Sequence, residues 1–497
     1  VNPNEQEELL NAEETLDPED WEATRALAHR MVDEMLDHVA TIRERPPWRH
    51  MTGEAKDRFR LPVPRESSPP EAVYEAFLSD VLPWPMGTTH PRFWGWVIGT
   101  GTYTGALAEF LAAIMNPNLG GGDHHAANHV EHQVISWVKE MLGYPAEASG
   151  VLTSGGSASN LVGLSVARSH AAGCDMRTLG VRGCPRPLAF YASTEAHSSI
   201  DKGLIALGLG SASLHKIPGD ADFRIDVAAL SERIARDRAE GWQPACVVGC
   251  AGTTDTGAID DLVALADLCQ REGLWFHVDG AFGAWAALAP ETRHLVAGME
   301  RADSLALDMH KWMYMPYQIG CVLVRDEAMH RDTFAVHPAY LAHAEPGASD
   351  RGISGGDLPW VSDYDLELSR GFRALKAWMS IKEHGADRYG RLVAQNIAQA
   401  RYLAGLVEAD PELELAAPVP LNVVAYRYVR PGTDDSSLDA LNQRILAELQ
   451  EQGIAVPTGS TVRGHFVIHV AITNHRTRRE DLEVLARETV RLGRELG

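Results

Sequence analysis

Three features of this sequence predict an α/β fold with a mainly parallel sheet covered by helices on both faces. From Gly150 onward, short apolar runs alternate with helical patterns. At 497 residues the chain exceeds what one hydrophobic core serves, so two or three domains are expected. The last stretch, 411–497, repeats the alternation on a smaller scale, which predicts a small α/β domain of its own.

Taken in order, residues 20–45 carry apolar positions at helical spacing, including Trp21, Met31, Val32, Met35, Leu36 and Val39. Pro46-Pro47 ends that helix, and 51–70, rich in proline and charge, is a connector. A helix followed by such a connector is expected to pack on a partner subunit. His90-Pro91-Arg92-Phe93-Trp94-Gly95-Trp96 then crowds three aromatic residues and a glycine into seven positions, as a core wedge or the wall of a pocket would. A helix over 105–115 and a glycine-rich loop follow. His124, His125, His129 and His132 come next. No Cys and no HExxH accompanies them, so a polar patch at a pocket or subunit interface is expected, not a metal site.

The predicted strands are 150–153, 188–192, 213–217, 245–250, 274–278, 304–307 and 319–324, with helices over 161–171, 227–238 and 262–271 between them. Residues 333–359 are loop-like, long enough to act as a lid, and contain Tyr340. Helices over 366–383 and 389–408 precede a strand (422–429), a helix (438–452), a strand (465–473) and a helix (479–496). The expected domains are an N-terminal helical segment, 1–89, a large domain, 90–385, and a small C-terminal domain, 386–497.

Composition narrows the function. A formal net charge of −23 argues against nucleic acid, whose phosphates need basic patches. No run of ~18 apolar residues exists to span a membrane. The acidic first residues lack the apolar core of a secretory signal. None of the six cysteines forms a CxxC pair, so free thiols in a reducing compartment, the cytoplasm by default, are expected.

Chemistry gathers at strand ends, where open α/β sheets collect their ligands. Lys311, in Asp308-Met309-His310-Lys311-Trp312, follows an apolar strand and is one of only seven lysines among 45 basic residues. Lysine, unlike arginine, can be held neutral and form a Schiff base. Ser154-Gly155-Gly156-Ser157-Ala158-Ser159 follows a strand and opens a helix, a ready phosphate cradle without the Walker pattern. Asp279 ends another strand, where a buried carboxylate needs a cationic or donor partner such as a protonated pyridine nitrogen. His197 sits at a strand-to-helix turn where an imidazole can stack on a flat ring, and Thr253-Thr254 supplies hydroxyls. A cradle, an aspartate, a stacking histidine and an imine-forming lysine together describe a site for pyridoxal 5′-phosphate.

On these motifs the sequence resembles the pyridoxal-phosphate-dependent amino-acid decarboxylases of the group that includes aromatic-L-amino-acid, histidine and glutamate decarboxylases. The resemblance runs over 90–376 and rests on HPRFWGW, GGSAS, AHSS, GTT, HVDGAFG, DMHKW, HPAYL and FRALK, in that order. It implies fold type I and a homodimer with active sites at the subunit interface. It also implies that Lys311 carries the cofactor, that Asp279 pairs with its ring nitrogen and that His197 stacks on its ring. Ala158, Ser159, Thr254, Ala281, Asp308 and His310 would complete the cofactor site. Tyr340 would return a proton to Cα after carbon dioxide leaves.

Asp308 stands where animal aromatic decarboxylases carry Asn, and Asp123-His124-His125 occupies a segment that is Ser-Pro rich in many relatives. The substrate pocket, expected to include Trp96, His124 and His125, is therefore reshaped. An aromatic L-amino acid is the expected substrate, from Trp94 and Trp96. The alternative is an acidic or polar side chain met by His124, His125 or Arg92. An oxygen-dependent aldehyde synthase shares the fold but typically carries Phe where Tyr340 stands. A cofactor-binding regulatory protein, the non-enzyme alternative, would not need both Lys311 and Tyr340.

Overall fold

The computed structural model describes residues 2–12, 14–121, 124–336, 356 and 358–497. The chain divides into two compact units, Val1–Arg45 with Met51–Pro85, and Pro46–His50 with Met86–Gly497. In the first, the long helix Trp21–Ala40 starts where Asp20 accepts from the backbone N–H groups of Glu22 and Ala23. Arg30 bridges Glu34 and Glu75 at 2.8 and 2.7 Å, and the Tyr74 hydroxyl donates to Glu34 at 2.8 Å. Leu27 is the buried residue of this helix, whereas Trp21, Val32 and Leu36 are exposed.

The second unit is built on seven strands: β1 (Ser149–Thr153), β2 (Leu188–Ser193), β3 (Leu214–Ile217), β4 (Gln243–Cys250), β5 (Trp275–Asp279), β6 (Ser304–Asp308) and β7 (Gly320–Val324). Their order in the sheet is β1-β7-β6-β5-β4-β2-β3. β7 runs antiparallel to both neighbours, and the other six strands point one way. β2, β5, β6 and β7 are buried at every position, as strands covered on both faces must be. Alternate residues serve opposite cores: Val247 faces one cluster with Phe276 and Leu305, while Cys246 and Val248 face another with Phe190 and Trp275. Crossover helices Gly156–Ala171, Val227–Ala239 and Leu262–Glu272 follow β1, β3 and β4. All six parallel strands thus end at one edge.

A second sheet holds β8 (Leu413–Leu415), β9 (Val423–Tyr428), β10 (Thr458–Val462) and β11 (His465–Ala471) in the order β10-β11-β9-β8, all antiparallel. Two of these were not expected from sequence. β8 is three residues long, and β10 reads Thr-Gly-Ser-Thr-Val with an alternately exposed, mostly polar face. The helix expected over 366–383 begins only at Ala374. Residues before it carry Arg370 inward to pair with Glu131 at 2.7 Å and Asp365 at 3.2 Å. Both Arg370 and Glu131 are fully buried, and a solvent-facing helical turn could not deliver that contact. Most of the predicted lid, Tyr340 included, lies outside the described residues.

Candidate active site

Beyond the carboxyl ends of β1, β2, β4, β5 and β6 lies a cavity of about 450 Å³. Trp96, Ala158, His197, Thr254, Asp279, Ala281, Asp308, His310 and Lys311 all line it, so one space gathers nine of the expected site residues. Ser159 does not: it is fully buried, with its hydroxyl 2.7 Å from that of Thr153. His124 and His125 are not among the lining residues either. His124 is exposed, and His125 stands at the N-cap of helix Ala126–Leu142, its Nε2 3.4 Å from the Gly121 carbonyl. Among the described residues no three His, Cys, Asp or Glu side chains gather as a metal set.

Lys311 is delivered by β6 and the single turn Met309–Trp312. That turn is anchored from both sides. Trp312 is fully buried and its indole N–H donates to Asn396 Oδ1 at 3.0 Å; Trp285 donates to the Asp308 carbonyl at 2.8 Å. The backbone of Gly99 presses against the same turn so closely that a Cβ there would lie 2.1 Å from the His310 oxygen and 2.3 Å from that of Lys311. The Lys311 ammonium sits 3.1 Å from Asp308 Oδ2, while Asp308 Oδ1 is buried without a hydrogen bond. His310 turns Nδ1 to the Ile319 carbonyl at 2.9 Å and lies against the ring of Tyr317 with centroids 4.3 Å apart. Burial holds its imidazole below the usual range.

Asp279 is set by a network that can be read donor by donor. Its Oδ2 accepts from Asn160 Nδ2 at 2.9 Å and its Oδ1 from the Ala281 N–H at 3.1 Å. The other side of Asn160, Oδ1, can only accept, so His277 donates to it from Nε2 at 2.9 Å. His277 Nδ1 then accepts from Ser304 Oγ at 2.7 Å, and Ser304 in turn accepts from the Trp275 indole at 2.8 Å. Burial pushes His277 down to about 4, which keeps it neutral, as this pattern requires. Asn160 also donates to Ser199 Oγ at 2.9 Å, and Ser199 lies 2.8 Å from His197 Nδ1. The Ser199 backbone N–H points at the same Nδ1, 3.2 Å away, so His197 carries its proton on Nε2. Burial lowers the His197 pKa; the Asp279 carboxylate opposes this and the Lys311 ammonium adds to it.

The residues fit pyridoxal 5′-phosphate. Helix Gly156–Ala171 starts without a side-chain cap, and Gly156, Ser157 and Ala158 in its first turn line the cavity, leaving N–H groups for a phosphate. A Cβ at Gly156 would stand 2.8 Å from Asp308 Oδ2, so any larger residue there would push that carboxylate aside. The Asp279 oxygens retain lone pairs for a ring N–H, and Lys311 supplies the amine. Asn160, Ser199, Tyr317 and Gln318 also line the site and were missed from sequence. Only Asn160 gave a signal: an amide in an apolar helix interior has to find partners.

A family model described as the pyridoxal-dependent decarboxylase conserved domain matches residues 58–429. An aromatic-L-amino-acid decarboxylase of Bacillus atrophaeus is 32% identical over 468 residues, covering 93% of each chain. A histidine decarboxylase of Rattus norvegicus is 28% identical over 487 residues, covering 94% of this chain and 70% of its own. Among solved structures, Oryza sativa TDC with PLP and tryptamine superposes with a TM-score of 0.88 at 26% identity, covering 97% of this chain and 100% of that one.

Proposed function

The chain belongs to the pyridoxal-dependent decarboxylase family, and from that premise we propose that it converts an aromatic L-amino acid to the corresponding amine and carbon dioxide, as a homodimer. Amino-acid decarboxylation with pyridoxal 5′-phosphate follows from the family. The aromatic substrate rests on one observation. Apart from Lys311, Asp279, Asp308 and two histidines, the described lining is Trp96, Val97, Ile98, Phe282, Tyr317 and small or uncharged residues, with no arginine to meet an acidic side chain. A flat apolar side chain is favoured in such a space. The relatives named for aromatic substrates support the same reading.

When bound, pyridoxal 5′-phosphate supplies a conjugated ring that accepts the electron pair left by carbon dioxide. This chain's residues hold and orient it. Lys311 is the lysine of the cavity lining and so the covalent anchor. Asp279, backed by Asn160, keeps a proton on the ring nitrogen. His197 offers a neutral face to the ring and Nε2–H to the substrate carboxylate. The first turn of helix Gly156–Ala171, with Thr254, holds the phosphate. Asp308 receives the Lys311 ammonium whenever the amine is released. Tyr340, outside the described residues, is assigned the proton to Cα from its place in His337-Pro338-Ala339-Tyr340-Leu341. Six free thiols fit a reducing, cytoplasmic setting, and no described helix is long and apolar enough to cross a membrane.

The test is a panel of common L-amino acids scored for carbon dioxide and amine. Tryptophan, tyrosine or phenylalanine should give both. Release from glutamate or histidine alone overturns the substrate assignment.

A further inference from the structure

Trp96 lines the cavity with about half its surface exposed (52%), yet its backbone holds φ at +50°, a conformation bulky side chains rarely adopt. Something must hold it there. Its backbone N–H donates to Thr458 Oγ1 at 3.0 Å, across from the large domain to β10 of the small sheet. Thr458 is the cross-strand partner of His469 on β11, and its hydroxyl lies 3.4 Å from His469 Nδ1. His469 Nε2 lies 2.8 Å from the carbonyl of Thr254, which also lines the cavity.

The direction of this chain is fixed by chemistry. The Thr254 carbonyl can only accept, so His469 carries its proton on Nε2. Its bare Nδ1 then takes the Thr458 hydroxyl proton, which leaves the Thr458 oxygen free to accept from Trp96. Both side chains are buried, and burial holds the imidazole below its usual range, in the neutral form that this pattern needs. A second bond fastens the same threonine loop: the Ser460 hydroxyl donates to Asp255 at 2.6 Å.

We infer that His469 and Thr458 are positioning residues for the substrate: the small C-terminal sheet sets the spacing between the Trp96 wall and the Thr254 loop, and with it the fit of the substrate side chain. Neither residue lines the cavity, so both act through others. The inference rests on the substrate reading above only for which amino acid is used in the assay.

Thr458→Val keeps the shape and removes the relay, Thr458→Ser keeps the hydroxyl, and His469→Asn keeps an acceptor near the Nδ1 position. Two readouts are taken on cofactor-loaded enzyme: hydrogen exchange at the Trp96 amide, which needs no substrate, and kcat and KM for the best amino acid of the panel. In Thr458→Val the Trp96 amide should lose protection and KM should rise about tenfold, the weight of one mispositioned contact, with kcat within about twofold and the cofactor absorbance unchanged. Thr458→Ser should restore both, and His469→Asn should preserve Trp96 protection. Unchanged protection in Thr458→Val, or a KM that shifts equally in the serine variant, overturns the proposal. An enzyme that rejects aromatic amino acids sinks the substrate assignment alone, because the amide readout still decides this one.

Discussion

Asn160 and Asp308 set how the two reactive ends of the site behave. Asp279 would be a buried carboxylate with one backbone donor were it not for the Asn160 amide, which reaches it from helix Gly156–Ala171. Asp279→Ala removes the carboxylate to which we assign the proton at the ring nitrogen. Turnover should fall about a thousandfold, as when a preorganised charge partner is lost. The thermal melt should move by only a few degrees, and near-normal rates would refute the role. Lys311→Ala should abolish the visible absorbance of the covalently held cofactor, with the fold retained by circular dichroism; a band that persists removes Lys311 from its place. Both residues were legible in the sequence because Asp279 ends one apolar strand and Lys311 follows another, in the company of a glycine-rich cradle and a strand-end histidine. Asn160 and Ser199 were not, since their meaning lies in partners 119 and 39 residues away from Asn160 along the chain. Ser159 was read as a cofactor contact because hydroxyls in a glycine-rich turn suit phosphate. The helix instead turns it inward to Thr153.

At the scale of elements, the parallel strands were legible nearly residue by residue, because burial on both faces writes them as unbroken apolar runs. β8 and β10 were invisible for the converse reason: short or half-exposed strands carry little apolar signal, and their pairing with β9 and β11 is what makes them strands. The His277 staple that joins β5 and β6 to helix Gly156–Ala171 gives this level a pH test. Unfolded, its imidazole titrates near 6.5; folded, burial brings it to about 4. Between those values the unfolded chain binds the extra proton, so stability from this group is complete above pH 6.5 and falls as pH drops toward 4. The loss amounts to about 3 kcal/mol over that window. Denaturant melts at pH 7.5 and pH 5 should therefore differ. His277→Gln should be less stable at pH 7.5 and show a flatter acid limb; a limb as steep as the wild type's would assign the acid sensitivity elsewhere.

The whole molecule presents one surface that a lone chain does not explain. Helix Tyr103–Met115 buries Thr104, Gly105 and Ala108, and exposes Tyr103, Leu107, Phe110, Leu111, Ile114 and Met115. Those positions recur at three- and four-residue steps, so they form one continuous apolar stripe rather than scattered side chains. Ile114, at 71% exposure, is among the most open large apolar side chains of the described residues. Helix Trp21–Ala40, in the other unit, likewise leaves Trp21, Val32 and Leu36 in solvent. Apolar faces of this kind are what obligate partners cover, and the −23 net charge opposes nonspecific self-association. A homodimer joined through the stripe is the expected assembly. Sedimentation should then give twice the 54.3 kDa chain mass. Leu111→Asp with Ile114→Asp would place two carboxylates in a dry interface at a cost of several kcal/mol, or a weakening of dimerisation by at least a thousandfold. The variant should sediment as a monomer with its far-ultraviolet spectrum intact. If it remains dimeric, the stripe is not the interface.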